Sequence, residues 1–173
     1  CRRGYSCLYT EQGGFEGKRA MNECLQQAYQ IREMQLDDVR RVIQIEREIF
    51  LFPWTEMNFS DSIRAGYHCR VLEQDDTLMG YGIMMMGLDE AHILTIGISA
   101  QWQHQGWGGR LLRYFINLAK QQQAASVLLD VRESNIGAAN LYRRLGFKLI
   151  AIRKGYYPAM CGREDALVMR LEL

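Results

Sequence analysis

Between an apolar strand-like run and an amphipathic helical pattern the chain reads Gln103-His104-Gln105-Gly106-Trp107-Gly108-Gly109. A helix start carries backbone N–H groups that have no intrahelical partner, at the positive end of the helix dipole. Glycines allow that backbone to come close to a phosphate. The chemistry suited to this turn is therefore pyrophosphate binding, although a turn that merely joins a strand to a helix would read the same way. It is not a Walker loop, because no Gly-Lys-Ser/Thr follows, and it lacks the G-x-G-x-x-G dinucleotide spacing. The five cysteines (Cys1, Cys7, Cys24, Cys69 and Cys161) form no C-x-x-C pair and are odd in number. They predict neither a disulfide framework nor a metal site, and fit a reducing cytoplasm.

Periodicity supplies the elements that must hold the turn. Tyr29–Met34 predicts a strand. Asp37 precedes Val39, Val42, Ile43, Ile45, Ile49 and Phe50, apolar at helical spacing, and is the expected N-cap. Phe52-Pro53-Trp54 ends that helix, and Thr55 is the expected cap of a second short helix through Ile63. Strands are predicted over His68–Glu73, Leu78–Met86 and Ala91–Ile98, turning at Asp75-Asp76 and Asp89-Glu90. A helix from Gly108 to Gln122 follows, with a stripe of Leu111, Leu112, Phe115, Ile116 and Ala119. Then come a strand (Val127–Val131), a helix (Ile136–Leu145) closed by Gly146, and two last strands, Phe147–Arg153 and Ala166–Leu171. Hairpins followed by β-α-β crossovers predict an α/β (α+β mixed) fold, a mixed sheet with helices on both faces.

The 173 residues suit one domain. We assign it to residues 21–173, with residues 1–20, glycine-rich and aperiodic, as a tail or upstream extension. A net charge of +1 gives no bulk electrostatic case for DNA, RNA or an anionic membrane. No apolar run reaches the length of a membrane span. The expectation is a soluble cytoplasmic protein with no membrane and no direct nucleic-acid partner.

The segment Ile96-Gly97-Ile98 … Gln103-His104-Gln105-Gly106-Trp107-Gly108 resembles the acetyl-CoA motif of the GNAT acetyltransferases, Q/R-x-x-G-x-G/A after a strand. A second block, Asn135 … Ala138 … Asn140-Leu141-Tyr142-Arg143-Arg144-Leu145-Gly146-Phe147, resembles the family's N-x-x-A-x-x-L-Y-x-x-x-G-F segment. Within the family, Phe52-Pro53-Trp54, Val131-Arg132-x-Ser134-Asn135 and Tyr156-Tyr157-Pro158 … Gly162-Arg163-Glu164-Asp165-Ala166 are similar to the RimI branch, the bacterial ribosomal-protein alanine N-acetyltransferases. The resemblance runs from about Ile31 to the C-terminus. It implies a GNAT fold with about seven mostly antiparallel strands, acetyl-CoA as co-substrate, no metal, and a protein N-terminus, that of a ribosomal protein, as acceptor.

It also implies roles. Ile96, Gly97 and Ile98 would present backbone groups to the thioester, with the N–H of Ile98 in an oxyanion role. His104, Gln105, Gly106, Trp107, Gly108 and Gly109 would take the pyrophosphate, and Asn135 would touch the CoA chain. Tyr142 would protonate the leaving thiolate, a transfer close to balanced at ordinary pKa values. Asp130 stands where the branch carries a glutamate base. It is shorter by one methylene, about 1.5 Å, so a bridging water is implied, with Glu90 and Glu133 as substitutes. Read from its neighbours alone, Asp130 is equally an ion-paired carboxylate, with Arg132 as partner. Trp54, Glu90, Tyr156, Tyr157 and Arg163 are the expected acceptor contacts, the last three in a long loop between the closing strands. Trp54 also reads as a simple anchor at the helix break. Acetylation of lysine or of a small amine, and a non-catalytic acetyl-CoA-binding module, are the alternatives.

Overall fold

The computed structural model describes residues 29–173; the tail expected over 1–20, Met21, and Cys1, Cys7 and Cys24 lie outside them. Among the described residues seven strands form one sheet, β1 (Tyr29–Glu33), β2 (His68–Gln74), β3 (Thr77–Met86), β4 (Glu90–Ile98), β5 (Ser126–Arg132), β6 (Lys148–Pro158) and β7 (Arg163–Glu172). Their order is β1-β2-β3-β4-β5-β7-β6. Every neighbouring pair is antiparallel except β4 and β5, which are parallel. The mixed, mostly antiparallel sheet predicted from the alternating elements is thus present.

Four α-helices cover it: α1 (Val39–Ile49), α2 (Glu56–Arg64), α3 (Trp107–Gln121) and α4 (Ile136–Arg144). They divide the core in two. Val39, Val42 and Ile43 of α1 and Phe59 of α2 pack with Val71, Tyr81 and Ile83 on one face. Leu111, Leu112 and Phe115 of α3 and Ala139 and Tyr142 of α4 pack with Leu72, Ile93, Val127 and Leu129 on the other. The two faces follow from the period-two alternation of strand side chains.

Local chemistry accounts for most boundaries. Thr55 caps α2 through its side-chain oxygen, and Asn58 returns the bond to the Thr55 N–H, completing a capping box. Asp75 and Asp76 take positive φ at the tip of the β2–β3 hairpin, which two short polar residues tolerate. Gly146 does the same just past α4. Two expectations need correction. Asp37 is not an N-cap: a 3-10 turn over Leu36–Asp38 precedes α1, and Gln35 caps that turn. The closing strands run further than predicted, because the pairs Tyr157↔Glu164 and Pro158↔Arg163 extend the hairpin. Only residues 159–162 connect them, so Tyr156, Tyr157 and Arg163 lie on strands and not in a long loop.

The first strand is fastened by charge. Arg32 of β1 reaches Asp38 at 2.7 Å and Glu73 at 2.8 Å, and both carboxylates are buried. The guanidinium holds both below the usual carboxylate range. Their ion pairing therefore contributes stability above the unfolded carboxylate values and loses it as pH falls through the lowered folded values. Arg32→Met strands two buried charges and is expected to cost roughly 3 kcal/mol at pH 7 by urea denaturation. The cost should shrink as pH falls through the lowered folded values of Asp38 and Glu73, where the wild type loses the same contribution.

Candidate active site

The parallel pair β4–β5 is matched only from Glu90↔Ser126 to Ile93↔Leu129. Beyond Ile93 the strands part, with β4 held to β3 through Ile98 and β5 held to β7 through Arg132. The Ser99 N–H donates to the Met79 carbonyl at 2.9 Å. Alternation along an antiparallel edge then turns the N–H groups of Ile96 and Ile98 away from β3 and into the opening. The Ile98 carbonyl accepts from the Gln103 side chain at 2.9 Å, which ties the strand end to the turn that follows.

That turn opens α3. Gly106 sits at φ 88 as the N-cap of α3 and no side chain caps the helix. Arg110 is the first residue whose N–H bonds back into the helix, to Gly106. The Trp107, Gly108 and Gly109 amides precede that first intrahelical bond. The helix starts one residue earlier than predicted, since Gly106 supplies the left-handed conformation that Trp107 could not adopt cheaply. His104, also at positive φ, and Gln105 complete the exposed turn. Asn135 caps α4, accepting from the Ala138 N–H at 3.1 Å, and its edge lines the opening.

The opening is a cavity of about 280 Å³ that brings together Thr95 and Ile96 of β4, Asp130 and Arg132 of β5, Asn135 and Tyr142 of α4, Tyr157 of β6, and Phe52 and Trp54 of the corner between α1 and α2. Trp54 lines the cavity while its ring packs 5.4 Å from Phe59, as an anchor at the helix break would. Tyr142 is 7 % exposed, and burial pushes its phenol up to about 12. It therefore stays protonated across the neutral range, as a proton donor must. Against a thiol near 8.5, proton transfer from such a phenol would be uphill rather than balanced.

Asp130 is nearly buried. Its Oδ2 lies 3.7 Å from His92 Nε2 and 3.5 Å from an Arg153 nitrogen, and its buried Oδ1 has no hydrogen-bond partner. The ion-pair partner is thus Arg153, while Arg132 turns to Glu164 at 3.1 Å. Burial lowers the His92 imidazole below its ordinary value, so it is neutral at pH 7 and able to take a proton. Burial and the Asp130 charge raise Tyr157 to about 12.

Other predicted contacts sit elsewhere. Glu90 is at the closed end of β4, bonded to Ser126 and 3.4 Å from Arg170. Glu133 is exposed outside the cavity. Arg163 donates to the carbonyls of Gly155 and Tyr156 and so braces the hairpin. Tyr156 is half-exposed beside Tyr157 on that hairpin. Of the cysteines described, Cys69 is buried with its thiol pushed up to about 11, and Cys161 is exposed in the hairpin turn. Neither lines the cavity.

Two residues of the site escaped sequence reasoning. His92 stands beside Asp130, on a strand where it reads as an ordinary polar alternation. Glu46 is 1 % exposed yet lines the cavity, and burial pushes its carboxyl up to about 7. Its signal was available, since it occupies the apolar stripe of α1 between Val42 and Ile49.

A cleft between splayed strands, a helix start without a side-chain cap, a nearly buried carboxylate and a buried phenol thus meet in one place. The chain matches the Acetyltransferase (GNAT) family over residues 29–147 and belongs to it. It is an acyltransferase, and the family uses acetyl-CoA. It is 34% identical over 143 residues to an Escherichia coli K12 protein named ribosomal protein bS18-alanine N-acetyltransferase, covering 83% of this chain and 97% of that one. It is 35% identical over 136 residues to the Salmonella typhimurium protein of the same name, covering 79% and 92%. The crystal structure of the Escherichia coli ribosomal-protein-S18-alanine N-acetyltransferase superposes with a TM-score of 0.79 at 34% identity, covering 84% of this chain and 94% of that one.

Removing the phenol tests the acid. Tyr142→Phe is expected to lower kcat on the order of 10²-fold with acetyl-CoA affinity unchanged. Equilibrium binding and steady-state assays in parallel check this, and an unaltered kcat would remove Tyr142 from the proton path.

Proposed function

We propose that this enzyme acetylates a protein N-terminal amine, with the N-terminal alanine of the small-subunit ribosomal protein bS18 as its acceptor. The relatives' names support the acceptor. The observation that carries the chemistry is the unpartnered Oδ1 of Asp130, buried in the same cavity that Tyr142 lines.

In this reading the His104–Gly109 turn holds the pyrophosphate, and the outward groups of Ile96 and Ile98 receive the acyl-pantetheine arm, with Asn135 beside it. The acceptor enters between Trp54 and Tyr157, with Tyr156 at the rim. Its neutral amine attacks the thioester carbon while the Ile98 N–H stabilises the oxyanion. One amine proton passes through a bridging water to Asp130, whose neighbour His92 can relay it. The carbon–sulfur bond breaks and the thiolate takes the Tyr142 proton. An N-terminal amine titrates near 7.7–8.0, so a carboxylate acting through water is base enough; a lysine amine near 10.4 is not well served. The acceptor places the enzyme in the cytoplasm.

The test measures CoA release with three acceptors: a hexapeptide with a free N-terminal alanine, its N-blocked twin bearing an internal lysine, and a polyamine. Turnover is expected with the free N-terminus alone. Turnover with the polyamine or the blocked peptide instead would reject the protein N-terminal reading. Asp130→Asn is expected to lower kcat by about 10²-fold, most at low pH, with acetyl-CoA binding intact.

A further inference from the structure

One carboxyl in the cleft takes no part in the reaction just described. Glu46 sits on the apolar stripe of α1, with no ion-pair partner among the described residues. A buried carboxylate without a cation is costly, and such groups are kept where hydrogen bonds make use of them. Both oxygens are in use here. Oε1 accepts the backbone N–H of Trp54 at 2.8 Å, and Oε2 accepts the Tyr81 hydroxyl.

Each donor belongs to a different wall of the site. Trp54 stands at the corner between α1 and α2 and lines the acceptor side. Tyr81 is fully buried on β3, paired with Gly97 of β4, and its hydroxyl lies 2.6 Å from where a Cβ on Gly97 would stand. Gly97 separates Ile96 from Ile98, whose amides face the thioester. The rings close the same circuit, with Trp54 on Phe59 and Phe59 on Tyr81, each pair 5.4 Å apart. Two hydrogen bonds from one carboxylate therefore join the acceptor wall to the back of the thioester strand. The other titratable or charged groups lining the cavity are Asp130, Arg132, Tyr142 and Tyr157.

We propose that Glu46 is a positioning residue for the acceptor: it fixes the Trp54 corner against Tyr81 and Gly97, so that the amine arrives at the right depth opposite the thioester. The proposal rests on the acetyl-transfer reading of this cleft. It assigns Glu46 no proton transfer, because both oxygens are already engaged by donors. A glutamine can accept from Trp54 with its oxygen and donate to the Tyr81 oxygen with its amide, so it keeps the tie without the charge. Alanine cannot.

The test compares wild type, Glu46→Gln and Glu46→Ala as full chains, with acetyl-CoA and the free N-terminal hexapeptide. In Glu46→Ala the peptide KM should rise about tenfold, with the acetyl-CoA KM unchanged, and Glu46→Gln should recover most of that loss. Equal falls in kcat for both variants at constant peptide KM would make Glu46 a proton carrier and overturn the proposal. An unchanged peptide KM in Glu46→Ala, or equal rises in both KM values, would overturn it as well. Should Glu46→Ala not fold, Tyr81→Phe removes one end of the tie; it should raise the peptide KM several-fold, and an unchanged value counts against the proposal. Amide hydrogen exchange at Trp54 needs no acceptor. The amide should be protected in wild type and Glu46→Gln and exposed in Glu46→Ala, and persistent protection would contradict the tie. That readout stands even if the hexapeptide proves not to be a substrate, which would sink the acceptor assignment alone.

Discussion

A parallel strand pair that holds for four residues and then opens is the constraint on which the rest of the molecule depends. Strands separate at a cost, because each backbone N–H and C=O left without a partner loses a hydrogen bond. Here the cost is contained from both sides. β4 stays paired to β3 through Ile98, with one bulge at Leu94, and β5 stays paired to β7 through Arg132, so each edge keeps its other neighbour while the gap between them opens. Gln103 meets one exposed carbonyl, and the outward amides of Ile96 and Ile98 are the groups a thioester oxygen and an amide-bearing pantetheine arm can satisfy. In the proposed mechanism the unpaired backbone is the binding surface itself.

Burial then tunes the side chains around the gap. Desolvation raises Tyr142 and Tyr157, lowers His92 and raises Glu46, each toward its uncharged form. In the proposed reaction the dry setting that would make Tyr142 a reluctant acid would also make a free thiolate unfavourable, so the two changes oppose one another. Asp130 is kept next to a cation, Arg153, and a neutral imidazole, His92. Arg132 works on the mouth rather than the floor. It stacks 4.4 Å from the Tyr157 ring and 5.6 Å from Phe52, and pairs with Glu164, so it joins the helical corner to the β6–β7 hairpin.

Local signals made most of the fold legible. The helix stripes, the Thr55 cap, the Asp75-Asp76 turn and the glycine-rich start of α3 each follow from a few adjacent residues, and each is present. What escaped depends on distant partners. The extent of β6 and β7 is set by their pairing with one another, and Lys154-Gly155-Tyr156-Tyr157-Pro158, with its glycine and proline on a largely exposed strand, looks like loop. Asp37 failed as a cap because Gln35 and Asp38 close a tighter turn one step earlier. The motif residues of the cleft were legible because their order in the chain is that of a known family. His92 and Glu46 were not, because their meaning lies in Asp130 on the next strand and in Trp54 and Tyr81 on other elements.

The most direct test is a crystal structure with a conjugate that joins the CoA sulfur, through an acetyl bridge, to the N-terminal nitrogen of an alanine peptide. The account predicts the pyrophosphate on the first-turn amides of α3, the bridge in the opening between β4 and β5, the sulfur beside Tyr142, and the nitrogen within one water of Asp130. A conjugate whose peptide leaves the cleft anywhere but between Trp54 and Tyr157, or whose nitrogen lies remote from Asp130, would contradict it.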